Sequence, residues 1–165
     1  MLGLAGCMSS GPRLTQQQYE AKMQALTHEM QADGAAMKSF AASPSATTFD
    51  EILEQAADAF RDAADELDDM NPPEEIDGAH DDLVDSFRDV ADVLDEAAEE
   101  ADDGDFYAAM AKLSEGDDAA SKAEEAIREI RTAGYYIGDD SSWGSWPTLV
   151  GRARVGSGHD AGRAL

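Results

Sequence analysis

Three histidines, one cysteine and a high density of carboxylates are the side chains of this chain that could do chemistry. His80 is the one to weigh. It takes a core-facing place in a helical pattern, with Asp77 one turn earlier, the i, i+3 spacing at which two side chains meet on a helix. A di-iron bundle needs Glu-x-x-His on two helices and further glutamates projecting inward. Here Asp stands in place of Glu, the pair occurs once, and the preceding helix offers only Phe, Leu, Met and Ala along its stripe. Asp33 is the one carboxylate at a seam place of the first helix, and it does not complete such a set. His80 therefore reads as a structural histidine with Asp77 as a candidate polar core contact. A pH-sensitive contact is the second reading, because imidazole titrates near neutrality. His28 falls opposite the apolar stripe and is expected in solvent, while His159 lies in the C-terminal tail. No metal and no cofactor is expected.

Other chemistries leave no mark. The acidic pairs Asp68-Asp69, Asp81-Asp82, Glu99-Glu100 and Asp102-Asp103 lack the alternating twelve-residue spacing of a calcium loop. No phosphate-cradling glycine loop and no Gly-x-Ser-x-Gly elbow occurs. Cys7 is the only thiol, so neither an internal disulfide nor a cysteine-built metal cluster can form. The chain is expected not to be an enzyme.

The elements that must position these residues are helices. The first is expected from about Thr15 to Phe40, with Tyr19, Met23, Leu26, Met30, Met37 and Phe40 at alternating steps of four and three, interrupted where Asp33 and Gly34 fall. A second starts near Thr48, with Glu51 three places on as in a capping box. Its stripe is Phe49, Leu53, Ala56, Phe60, Ala63, Leu67 and Met70, and Asn71-Pro72-Pro73 ends it. A third runs from about Glu74 to Ala101 on Ile76, His80, Leu83, Phe87, Val90, Leu94, Ala97 and Ala101. The last part is less regular. Phe106, Tyr107, Met110 and Leu113 make a short segment, bent or ended around Glu115-Gly116-Asp117, before a further helix from about Asp118 to Thr132. The second and third helices echo each other: residues 57–68 and 84–95, 27 apart, agree at eight of twelve positions. Duplication and convergence on one amphipathic recipe both explain this, and the short loop favours an antiparallel hairpin.

The fold expected is all-α, an antiparallel three- or four-helix bundle with an irregular glycine- and aromatic-rich C-terminal tail. Residues 1–14 read as a polar start, 15–133 as an acidic bundle and 134–165 as an extension. In that extension Tyr135, Tyr136, Trp143 and Trp146 are candidate interaction residues, simple packing over the bundle being the plainer reading, and residues from Gly151 onward are expected to be mobile.

Thirty-six Asp and Glu against twelve Lys and Arg give a formal net charge of -24. Between Asp50 and Asp105 stand 24 carboxylates and two basic residues, Arg61 and Arg88. Nucleic acid is excluded as a partner, since its phosphates must be neutralised by cations. The plain reading is a solubilising or salt-adapted surface, and the sharper one a cationic protein or metal partner. Lys122, Arg128 and Arg131 are expected to face the acidic second and third helices.

Leu4-Ala5-Gly6-Cys7, followed by a polar stretch, resembles the lipobox of bacterial lipoproteins, in which the cysteine is diacylated and becomes the mature N-terminus. Only six residues precede Cys7 and none is basic, so either a signal's basic start and apolar stretch lie upstream of Met1 or the match is accidental. With the Ala/Asp-rich helices, the chain resembles small helical lipoproteins of high-GC Gram-positive bacteria. That resemblance implies a lipid anchor on Cys7, a place on the outer face of the plasma membrane, and no catalytic residue. The expected function is then a membrane-anchored structural or interaction protein, an accessory subunit of a cell-envelope or membrane complex with an unidentified protein partner. The rival is a soluble, cytoplasmic acidic adaptor or assembly protein, halophilic or viral, without lipid. A metal or small-molecule carrier is a third class and would need a polar pocket inside the bundle.

Overall fold

The computed structural model describes residues 12–41 and 49–138, and for 33–41 the backbone alone. Four helices follow one another: α1 (Gln16–Ala41), α2 (Phe49–Asp68), α3 (Asp77–Asp102) and α4 (Phe106–Thr132). The start of α1 lies beside the end of α2, where the Leu14 amide donates to the Asn71 carbonyl, and beside the end of α4, where Gln16 donates to the carbonyl of Gly134. With tight corners on either side of α3, the helices alternate in direction, and the expected antiparallel bundle is a four-helix one.

Local chemistry accounts for each boundary. Thr15 and Gln18 form a capping box: the Gln18 side chain accepts from the Thr15 amide at 3.0 Å, and the Gln18 amide donates to Thr15 Oγ1 at 3.4 Å. The box expected at Thr48 lies outside the described residues. The corner after α2 carries the buried Pro72 and Pro73, and a single 3-10 turn, Glu74–Ile76, precedes α3. The α-helix therefore starts three residues later than expected, because the Ile76 amide closes an i, i+3 bond on Pro73. Asp105 caps α4 by accepting from the Ala108 amide at 3.0 Å. At the far end Gly134, at φ 98°, reverses the chain, and the Tyr135 amide reaches back to the Ile130 carbonyl.

The break expected at Glu115-Gly116-Asp117 does not occur: α4 is one helix of 27 residues. Gly116 is buried there because α3 comes close. A Cβ at this position would stand 3.2 Å from Val93 Cγ1. The helix bears the usual glycine cost, about 1 kcal/mol, in return for close packing on α3.

The expected stripes supply the core, the side chains of Met37 and Phe40 lying outside the described residues. Tyr19, Met23, Leu26 and Met30 of α1 meet Leu53, Phe60 and Leu67 of α2, Leu83, Phe87 and Leu94 of α3, and Leu113, Ile127 and Ile130 of α4. Each fully buried leucine contributes about 2 kcal/mol. Alanines 57, 64, 97 and 98 fill the narrow places between them. Phe106 and Tyr107, expected on a stripe, are exposed instead, and Ala109 takes the inward place. No described helix is long and apolar enough to cross a membrane.

The sequence echo has a geometric counterpart. Phe60 and Phe87, equivalent under the 27-residue shift, meet edge-on with ring centres 5.4 Å apart. Around them Arg61 pairs with Asp95, and Arg88 pairs with Asp68 at 3.1 Å. Since 88 is 61 and 95 is 68 after the same shift, each pair is the image of the other. The α2–α3 hairpin therefore has a local two-fold axis through the phenylalanine pair.

Candidate functional site

Two places could do more than hold the fold: a polar knot at the base of the bundle and a carboxylate-lined furrow on its flank.

The knot is built from four separate parts of the chain. His80, one turn into α3, is 2% exposed and points inward because its seam place leaves no other direction. Its Nε2 lies 2.9 Å from the Leu67 carbonyl at the end of α2. A carbonyl only accepts, so Nε2 carries the proton and Nδ1 is the acceptor. The Tyr19 hydroxyl of α1 donates to that Nδ1 at 3.0 Å. Tyr135, after α4, packs edge-on against Tyr19 with ring centres 5.7 Å apart and donates its hydroxyl to Glu75 at 2.5 Å. Burial, partly countered by the Leu67 carbonyl, draws His80 below its ordinary value. Burial likewise raises the Tyr19 hydroxyl. The hydrogen bond from Tyr135 holds the Glu75 carboxyl below its usual range. Tyr135 itself is pushed up to about 12, by burial first and then by Glu75.

The contact expected between His80 and Asp77 is replaced by a longer-range one. Asp77 turns outward to Arg13, at 2.8 Å, and that guanidinium also donates to the Pro72 carbonyl. The hydrogen bond from Arg13 lowers the Asp77 carboxyl. Both ring nitrogens of His80 are thus occupied, so the imidazole has no lone pair to offer a metal. Among the described residues no three His, Cys, Asp or Glu side chains converge as a metal set. The interior cleft near Met30, Phe60, Phe87 and Leu113 has a volume of about 60 Å³ and a mainly apolar wall without His80. That is room for a water or two, against roughly 300–1,000 Å³ for small-molecule sites.

Of the candidate interaction residues, Tyr135 is buried and serves packing, while Tyr136 is 55% exposed with its amide tied to Glu20. Trp143, Trp146 and Cys7 lie outside the described residues, as does the Asp33 side chain. His28 is exposed, as expected.

The furrow runs between α3 and α4, about 550 Å³ in volume, bordered by Asp82, Asp85 and Asp89 on one side and Glu125 and Glu129 on the other. Its two cations are engaged: Lys122 with Asp89 at 3.3 Å, and Arg88 with Asp68. Lys112 of α4 likewise reaches Glu96 of α3 at 2.8 Å. Of the basic residues expected to face the acidic helices, Lys122 does so. Arg131 donates to the Gly138 carbonyl, and Arg128 is exposed. Lys112 was not singled out by its sequence context. Its position ten residues before Lys122, close to three helical turns, was the available signal. No family model matches this chain, and neither a curated protein nor a solved structure resembles it closely enough to count as a match.

Proposed function

We propose that this protein is a non-catalytic helical adaptor or assembly module that offers a carboxylate-covered flank to a basic protein partner. The observation that carries the reading is how the cations are used. Arg61, Arg88, Lys112 and Lys122 each pair with a carboxylate on a neighbouring helix, so these basic side chains are engaged within the bundle. Asp82, Asp85, Asp89, Glu125 and Glu129 border one furrow, a local concentration of negative charge suited to steering and orienting a cationic surface. Exposed ion pairs are each worth under about 1 kcal/mol, so such a surface contributes little to folding.

The test is capture of partners from the native extract by the full chain and by a variant carrying Asp82→Asn, Asp85→Asn, Glu125→Gln and Glu129→Gln. A partner held by wild type at low salt, released near 1 M salt and lost from the variant is the expected result. Equal capture by both proteins, or capture indifferent to salt, sinks the reading.

Lipid attachment at Cys7 is a second reading, which rests on Leu4-Ala5-Gly6-Cys7. Five residues lie between Cys7 and Arg13, and the six steps from one to the other span at most about 20 Å, so an anchor there would hold Arg13, and with it the base, close to a bilayer. Intact mass of the native protein decides it. A diacylglyceryl-modified Cys7 is expected, and an unmodified cysteine ends the reading.

A further inference from the structure

We propose that the base of the bundle is an acid-sensitive latch, in which protonation of His80 frees α1 and the segment after α4 from a platform formed by α2, α3 and α4. This stands apart from the acidic-flank reading and survives its failure.

The geometry makes the neutral imidazole an obligate part of the closed form. Nε2–H is committed to the Leu67 carbonyl, and Nδ1 is the acceptor on which the fully buried Tyr19 hydroxyl rests. A proton on Nδ1 sets two donors against each other across 3.0 Å. Tyr19 must then turn its O–H away from the partner it has, which leaves a buried donor unsatisfied. The imidazolium, meanwhile, would sit out of water, with its nearest carboxylates, Asp68, Asp77 and Asp81, on the rim. Opening the knot solves both problems, since Tyr19 regains water and the imidazolium reaches those carboxylates.

The groups facing His80 from every element packed on it decide whether anything else titrates first. They are Tyr19 from α1, Asp68 from α2, Glu75 from the 3-10 turn through Tyr135, Asp77 with its Arg13, and Asp81 from α3. Both tyrosine hydroxyls are raised and stay protonated in mild acid, while Glu75 and Asp77 are lowered and stay charged. The open form binds the additional proton. Docking is therefore full above the free imidazole value of 6.5 and weakens as pH falls below it.

α1 is the helix built to leave. Among the described residues the extensive interfaces are α2 with α3 and α3 with α4, whereas α1 meets α2 along a shorter contact. Met30 of α1 lines the apolar cleft of about 60 Å³. The other ties of α1 also converge on the same end: Leu14 on Asn71, Gln16 on Gly134, and Glu20 on the Tyr136 amide. One disturbed corner loosens all of them.

Hydrogen exchange of the intact protein, corrected for intrinsic rates, tests this between about pH 7 and pH 5. Amides of residues 19–30 should lose about tenfold or more of their protection, while those of 83–94 and 123–130 keep theirs. The variant His80→Gln, which can still donate to Leu67 and accept from Tyr19, should hold α1 protected at both pH values. Tyr19→Phe should move the opening to higher pH, and His28→Gln, changed on the exposed face of α1, should leave it in place. Protection of α1 independent of pH, loss from all four helices together, or an opening that persists in His80→Gln would overturn the proposal. Should His80→Gln not fold, an unchanged midpoint in Tyr19→Phe would overturn it equally.

Discussion

Tyr135 turns a glycine-terminated helix end into a cross-link, because its hydroxyl reaches Glu75 across the base of the bundle. The pair has a signed dependence on pH. Glu75, lowered in the folded protein, contributes stability that is present above its ordinary value of 4.5 and is lost as pH falls through the folded value. The Tyr135 hydroxyl, raised from 10.0 to about 12, contributes stability present below 10 and lost as pH rises through 12. Tyr135→Phe removes both contributions. Urea unfolding of wild type and variant should therefore differ most between about pH 5 and 9 and converge toward pH 3. A difference constant from pH 7 to pH 3 would show that lost ring packing, rather than the hydrogen bond, is what the substitution removes.

At the scale of elements the helices were legible in the sequence, since the stripes at steps of three and four became buried faces over residues 19–30, 53–70 and 76–97, while Phe106 and Tyr107 turned out to solvent. What eluded the sequence was contact between distant parts. His80 could be placed inward from the seam of its own helix, but Tyr19, its hydrogen-bond partner, is 61 residues away. Asp77, one turn from His80, was the natural local partner, yet its carboxylate is taken by Arg13, which is 64 residues away from it. Gly116 failed as a breaker for a related reason, because propensity is a local quantity and the closeness of α3 is not. Gly116→Leu separates the two effects. Leucine is the better helix former by nearly 1 kcal/mol, yet its side chain has to enter space that begins 3.2 Å from Val93. A net loss of about 1–3 kcal/mol is expected in chemical denaturation. A gain would mean that α3 and α4 part without cost.

For the whole molecule the dominant quantity is the formal charge of -24. Self-repulsion of that size opposes compaction, and the ion pairs between helices, being exposed, offset little of it. Salt should therefore stabilise this protein even as it weakens each pair. Raising ionic strength from about 0.01 M to 1 M shortens the screening length from ~30 Å to ~3 Å. A rise in Tm of roughly 3 °C or more is expected, equivalent to about 1 kcal/mol at this size. A fall would mean that the pairs outweigh the repulsion. The axis through Phe60 and Phe87 carries a different consequence. A helix that recognises a near-copy of itself also carries much of what it needs to recognise its counterpart in another molecule, so side-chain matching alone does not make the hairpin close within one chain. That choice falls to the proline corner, which keeps the two halves at an effective concentration of millimolar order and makes a stranger's helix the poorer competitor.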